Sequence, residues 1–307
     1  MKKISAIKQL RNYIIYIFIL LLIKFIQLWP RRTAIKITQG IGQLSFRLAF
    51  KSKRRIKQHL TKAFGQEKSS EEIKKLTKDV FMHCFTAAAD YVRLPIMTSD
   101  EINNIIKVDG IEHLEKAYAK NRGVIMLSAH LGNWELLGVW VAKHGFPSMA
   151  VGARIRNPHM EKLVIRFREQ CGVKNLKRGN DTREIIKALK QGRGVGMLID
   201  QSTKVQGEFV NFFGFPAHTA TAPYRLAKKY GSPIIPIFIH LHKDYTYHIE
   251  CLEEIKLHHS GNDHQDIIDT LQDCSTVIEG FVRKHPEQWS WIHRRWKKQP
   301  YFQKTAS

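Results

Sequence analysis

The stretch GVIMLSAHLGNWELLGVWVAKHG, residues 123 to 145, decides how the rest of the chain is read. Its first part, GVIMLSA (123 to 129), is apolar and too short for a globular helix, so it reads as a buried strand. A short polar loop follows, in which Asn133 is placed to cap a helix running from Trp134 to His144 and stopped by Gly145. Strand, loop and helix in this order form one half of a βαβ unit. The same rhythm recurs downstream. PSMAVGA (147 to 153), GVGMLI (194 to 199), SPIIPIFI (232 to 239) and TYHIECL (246 to 252) read as strands. Residues 111 to 121, 133 to 144, 158 to 171, 181 to 191 and 219 to 230 read as helices. A helix over 71 to 94, ended by Pro95, precedes this region, and a helix over 263 to 284 with the aromatic-basic tail WSWIHRRWKK closes it. The expected fold is α/β: a mixed, largely parallel sheet flanked by helices on both faces, with an N-terminal membrane-anchoring helix.

The charge is uneven. The net charge is +23, and residues 1 to 66 carry fifteen Lys/Arg and no acid, with Glu67 the first. Within that segment NYIIYIFILLLIKFIQLW (12 to 29) is about long enough to cross a bilayer core and contains one lysine, Lys24. Trp29-Pro30-Arg31-Arg32 follows with no small-residue cleavage site, which argues against a removed signal peptide. TAIKITQGIGQLSFRLAF (33 to 50) is amphipathic, and KSKRRIKQHLTKAF after it is basic. An apolar helix followed by basic amphipathic helices suits an anionic membrane face. Three regions are therefore expected: 1–32 as membrane anchor, 33–66 as surface helices, and 67–307 as a soluble α/β domain. A nucleic-acid partner is not expected, because no recognition motif or stacking aromatics accompany the basic residues. The four cysteines, Cys84, Cys171, Cys251 and Cys274, show no pairing or metal-ligand spacing, which suits a reducing compartment.

Strand-to-helix loops in such sheets carry active sites. His130 lies in the first loop and Glu135 in the first helical turn, where a carboxylate is favoured by the helix dipole. Glu135 is thus placed to orient His130, leaving the second ring nitrogen to take a proton from a hydroxyl. The bland alternative is a structural histidine at a strand end. Arg154 and Arg156 suit phosphate groups, with ordinary surface ion pairs as the alternative. Asp200 and Gln201 end a buried strand, where a polar pair needs a reason. Phe212, Phe213 and Phe215 suit either the lining of an apolar tunnel or plain core. Histidines 240, 242, 248, 258, 259 and 264 lack partners at ligand spacing, so no metal site and no cofactor is expected.

Several ordered blocks add to this. HLGNWE (130 to 135), ARIRNPHMEKL (153 to 163), RGND with TREIIKALKQG (178 to 192), VGMLIDQ (195 to 201), FVNFFGFPAHTAT (209 to 221) and PIIPIF (233 to 238) resemble the bacterial lipid A late acyltransferases. That family is the membrane branch of the lysophospholipid acyltransferase superfamily, and the resemblance covers roughly residues 5 to 298. It implies acyl transfer from acyl carrier protein to a hydroxyl of a lipid A precursor, at the cytoplasmic face of the bacterial inner membrane. It implies His130 as general base with Glu135 as partner, and Asn133, Arg154 or Arg156, Asp200, Gln201, Phe212, Phe213, Gly214 and Thr219 around the substrate. Glycerolipid members usually have aspartate and an FPEG block where this chain has Glu135 and Phe212-Phe213-Gly214, which favours lipid A-type acceptors. Ala153 before Arg154 departs from the family's arginine block; the family arginine is assigned to Arg154, with Arg156 as the alternative. Coenzyme A as donor, another membrane lipid (a lysophospholipid or glycolipid) as acceptor, and a non-enzymatic basic membrane adaptor are the alternatives.

Overall fold

The computed structural model describes residues 6–152, 155–177 and 181–300. Four helices lead: α1 (Ala6–Gln27), α2 (Arg31–Leu48), α3 (Phe50–Phe64) and α4 (Ser70–Arg93). After the short α5 (Ser99–Asn104) come β1 (Ile106–Asp109), α6 (Ile111–Ala119), β2 (Val124–Ser128) and α7 (Trp134–Lys143). Next are β3 (Ser148–Gly152), α8 (Pro158–Gln170), β4 (Lys174–Lys177), α9 (Thr182–Lys190) and β5 (Gly194–Leu198). A hairpin of β6 (Gly207–Phe212) and β7 (Phe215–Ala220) precedes α10 (Ala222–Tyr230), β8 (Ile234–Leu241), β9 (Tyr247–Cys251) and α11 (Asp263–Lys284).

Seven strands form one sheet in the order β1-β9-β8-β2-β5-β3-β4. From β8 to β4 every pairing is parallel; β9 reverses against β8, and β1 runs with β9. The expected α/β class is the observed one. Side-chain alternation explains why both faces are covered. On β2, Ile125 and Leu127 point into a core shared with α3, α9, α10 and α11, while Val124 and Met126 point into a second core with α6 and α7.

The strands missed from sequence are β1, β4, β6 and β7. The first two are the sheet's edges, four residues each and carrying lysines (IKVD and KNLK), so they offer no apolar run to read. The third and fourth form a hairpin whose two-residue turn, Phe213-Gly214, has φ of +54° and +75°. Both being positive, this is the turn that matches strand twist. A phenylalanine rarely accepts such a backbone; here its N–H donates to Glu279 Oε2 on α11 at 2.6 Å and its ring is buried. The expected helix over 219–230 accordingly starts at Ala222, its first residues belonging to β7 and the bend after it.

The basic N-terminal helices are built into the fold. Ile56, Leu60 and Phe64 of α3 lie in the main core. Arg31 at the start of α2 forms a two-pronged ion pair with Asp90 of α4 (2.7 and 2.8 Å), and the Tyr247 hydroxyl donates to the same carboxylate at 2.9 Å. Helix α1 turns Ile23 and Ile26 inward. Its opposite stripe, Ile7, Leu10, Ile14, Phe18, Leu21 and Phe25, is exposed. At 22 residues and a mean hydropathy of 1.7, it is long and apolar enough to cross a membrane.

Candidate active site

β2 and β5 are parallel neighbours whose last register pair is Ser128 with Leu198. His130 and Asp200 each stand two residues beyond that pair, so the topology alone brings them side by side. Asp200 is fully enclosed, and both its oxygens are engaged by the His130 loop. Oδ1 lies 2.8 Å from the His130 ring Nδ1, and Oδ2 accepts the His130 backbone N–H at 2.8 Å and the Trp289 indole N–H at 2.7 Å. Burial pushes the Asp200 carboxyl up, but the His130 charge and these hydrogen bonds outweigh it and hold the group down at about 2. An ionised carboxylate only accepts, so Nδ1 carries a proton and Nε2 is the acceptor nitrogen in neutral His130. The ring sits edge-on to Trp134 at 5.1 Å, with His293 5.6 Å away. Burial, and then the His130 charge, push the His293 ring down from its ordinary value.

The carboxylate expected beside His130 was Glu135. Its two oxygens instead hold Arg168 of α8, at 2.8 Å from Nε and 2.5 Å from Nη2. Arg168 also donates to Asn175 on β4. Burial alone would push the Arg168 guanidinium down; Glu135 more than offsets this and raises it. The physical reason is geometric. Glu135 lies in the first turn of α7 facing β3 and α8, and the long arginine reaches it from across the cleft.

His130, Glu135, Arg168 and Gln201 all line one cleft of about 470 Å³. Its walls are largely apolar, from Trp134, Val151, Ile185, Met197, Ile199 and Leu226, with Arg225 and Thr221 as further polar groups. Gln201 Nε2 is buried there without a hydrogen-bond partner among the described residues.

The other expected site residues fall into distinct places. Asn133 is buried and caps α7, accepting from the Leu136 N–H at 3.2 Å and donating to the Ala87 carbonyl. Phe212 and Phe213 lie in the core, packed edge-on or tilted against Trp289, Trp291 and Phe64, and Gly214 is in the turn between β6 and β7. Thr219 is enclosed and accepts from Arg295 at 2.6 Å. None of these five is among the residues lining the cleft. Arg156 is exposed, just before α8. Arg154 and the residues 178–180 of the RGND block lie outside the described residues. Sequence reasoning missed Arg168, Arg225 and Trp289. Only Trp289 left a signal, in the tryptophan-rich tail.

The bacterial lipid A biosynthesis acyltransferase family model matches residues 1–298. The chain belongs to that family. Among similar proteins, a lipid A biosynthesis acyltransferase of Haemophilus influenzae is 25% identical over 90% of this chain and 84% of its own. A lipid A biosynthesis palmitoleoyltransferase of Escherichia coli is 26% identical over 76% of this chain and 74% of its own. A phosphatidylinositol mannoside acyltransferase of Mycolicibacterium smegmatis is 26% identical over 47% of this chain. The chain spans about half the length of that last relative, 49%.

Proposed function

We propose that this protein is a membrane-attached acyltransferase that moves a fatty acyl chain from acyl carrier protein to a hydroxyl of a lipid A precursor. The observation that carries the reading is the His130–Asp200–Trp289 chain at an apolar cleft, in a member of the lipid A acyltransferase family. The acceptor hydroxyl gives its proton to His130 Nε2 as its oxygen attacks the thioester carbonyl carbon. The C–S bond then breaks and the thiolate leaves, taking back the proton from the imidazolium. Asp200 fixes the ring's tautomer and stabilises the imidazolium during that interval. Asp200 therefore takes the role that the sequence reading gave Glu135. Glu135 belongs to the same site through Arg168, whose guanidinium is held at the cleft wall ready for an anionic group of donor or acceptor. The apolar walls suit the acyl chain.

The exposed stripe of α1 supports insertion into the inner membrane, and the basic α2 and α3 support its anionic cytoplasmic face. Helix α8 rests on α1, with Asn157 Nδ2 donating to the Asn12 carbonyl at 3.0 Å and His159 stacked on Tyr16. The cleft is thereby tied to the membrane helix. A glycolipid acceptor is the second reading, favoured by the similarity to phosphatidylinositol mannoside acyltransferases. The test is transfer of labelled acyl chain from acyl carrier protein or coenzyme A to purified lipid A precursor or mannosylated lipid. Transfer from the carrier to the lipid A precursor is expected to dominate. Transfer to no lipid from either donor would overturn the reading.

A further inference from the structure

The β8–β9 hairpin presents a face that the acyl-transfer site does not use. His240 on β8 stands directly opposite His248 on β9. His242 follows two residues beyond His240, and Glu250 two residues beyond His248, so strand alternation turns all four side chains to one side. The start of the segment after α11 closes over them, with the His285 ring stacked on His240 at 4.0 Å between centroids. One donor atom each from His240, His242 and His248 lies within 4.8 Å of the others. Glu250, His240 and His285 form a second such group among the described residues.

Two facts separate this cluster from a stack of core histidines. His240 is only 4% exposed, yet among the described residues its Nδ1 has no hydrogen-bond partner; Glu250 Oε1 stands 3.4 Å away, out of line for one. His248 Nε2 is likewise buried and unpartnered, although an Asp109 oxygen lies 2.8 Å from it in poor geometry. Buried ring nitrogens left unsatisfied call for a partner. A cation that prefers imidazole would provide it.

We propose that His240, His242 and His248 form a binding site for a divalent transition-metal ion of the zinc, cobalt or nickel class. Three imidazoles with an open fourth position suit these ions, and nitrogens around one stand about 3.4 Å apart, within small side-chain adjustments of the present spacing. Glu250 and His285 flank His240 and hold its ring. Sequence spacing did not disclose this site because His248 and the flanking Glu250 and His285 arrive only through the hairpin register and the return of α11.

The site braces the support of the His130 loop. Gly132, with φ +60°, approaches β8 so closely that a Cβ there would stand 2.0 Å from the Ile239 carbonyl oxygen and 3.3 Å from His240 Cα. Three residues after His285, the Gln288 side chain pairs both ways with the Leu241 backbone at 2.8 Å, and its carbonyl accepts the Gly132 N–H at 3.0 Å. An ion joining β8 to β9 stiffens the strand on which that loop rests.

The test titrates Co²⁺, and separately Zn²⁺, into the purified full-length chain after its affinity tag is removed. Visible absorption and thermal unfolding are recorded. The site predicts saturable binding of one Co²⁺ per chain with tetrahedral-type bands, and a rise in Tm with Zn²⁺. His240→Gln should abolish both. The more exposed His242→Gln and His248→Gln, which leave the core intact, should weaken binding tenfold or more, and His258→Gln should not change it. Absence of saturable binding, or binding indifferent to His242→Gln and His248→Gln, would overturn the proposal. So would loss confined to Glu250→Gln and His285→Gln, which would place the ion on the other side of His240.

Discussion

At the scale of single residues, the account turns on which carboxylate holds His130. Removing the base by His130→Ala should lower acyl transfer by about 10²–10⁴-fold while the purified chain stays folded, with Tm somewhat lowered because Asp200 loses a partner. Glu135 and Arg168 act as a unit, so their losses should not add. Transfer by the Glu135→Gln/Arg168→Met double variant should be no worse than by the weaker single, because removing both members leaves no buried charge unpaired. A double variant as low as the product of the singles would show that Glu135 acts by itself. Gly152 carries the same pair from below. A Cβ there would stand 2.7 Å from Arg168 Nη1 and 3.0 Å from Asn175 Oδ1, so Gly152→Ala should push the guanidinium aside and mimic part of the Arg168 loss. Asp200 also leaves a mark on acid stability. Its carboxyl, ordinarily at 3.8, is held at about 2 by His130 and Trp289 against burial. A depressed group stabilises the fold fully above its unfolded value, and that contribution, about 2 kcal/mol, is lost as pH falls through the folded one. Asp200→Asn should therefore flatten the fall of Tm between about pH 4 and pH 2, measured by circular dichroism.

At the scale of elements, Arg31 and Asp90 tie the N-terminal helices to the rest of the fold. Asp90 is fully enclosed and its ion pair joins α2 to α4, so Arg31→Ala should cost about 3–5 kcal/mol, seen in denaturant unfolding. Removing residues 1–29 spares the pair and should leave a folded domain. Much of this element plan was legible in sequence because buried parallel strands and amphipathic helices write long runs. The five strands read from apolar runs and the helix over 263–284 came from such runs. What escaped was short, polar or conformational: the lysine-bearing edge strands, and a hairpin whose turn depends on a phenylalanine at positive φ. The site was legible only halfway. His130 and Asp200 were each marked by their strand ends, but their pairing follows from β2 lying beside β5, which no spacing along the chain expresses. Glu135 was near in sequence, yet α7 turns it toward an arginine 33 residues away.

At the scale of the molecule, the exposed apolar side chains of α1 are joined by exposed Leu44 and Leu48 of α2 and Phe50 at the start of the basic α3. The chain lacking residues 1–29 should still float with anionic vesicles at low salt and be largely released as salt rises, because salt screens the surface charge that then carries much of the attachment. A truncated chain wholly soluble at low salt would show that α2 and α3 do not meet the membrane. The cleft wall and α1 are linked through α8, which carries Arg168 and holds Asn12 and Tyr16 of α1 through Asn157 and His159.

The most direct measurement of the central claim is the turnover of purified Asp200→Asn with acyl carrier thioester and lipid A precursor, compared with Glu135→Gln. An amide cannot stabilise the imidazolium and permits the wrong tautomer, so Asp200→Asn should lose about 10²–10⁴-fold in kcat with little change in KM for either substrate. Glu135→Gln should show a smaller loss in kcat and a raised KM, as expected for a residue that positions Arg168. Turnover near wild type in Asp200→Asn, with the large kcat loss in Glu135→Gln, would contradict the account.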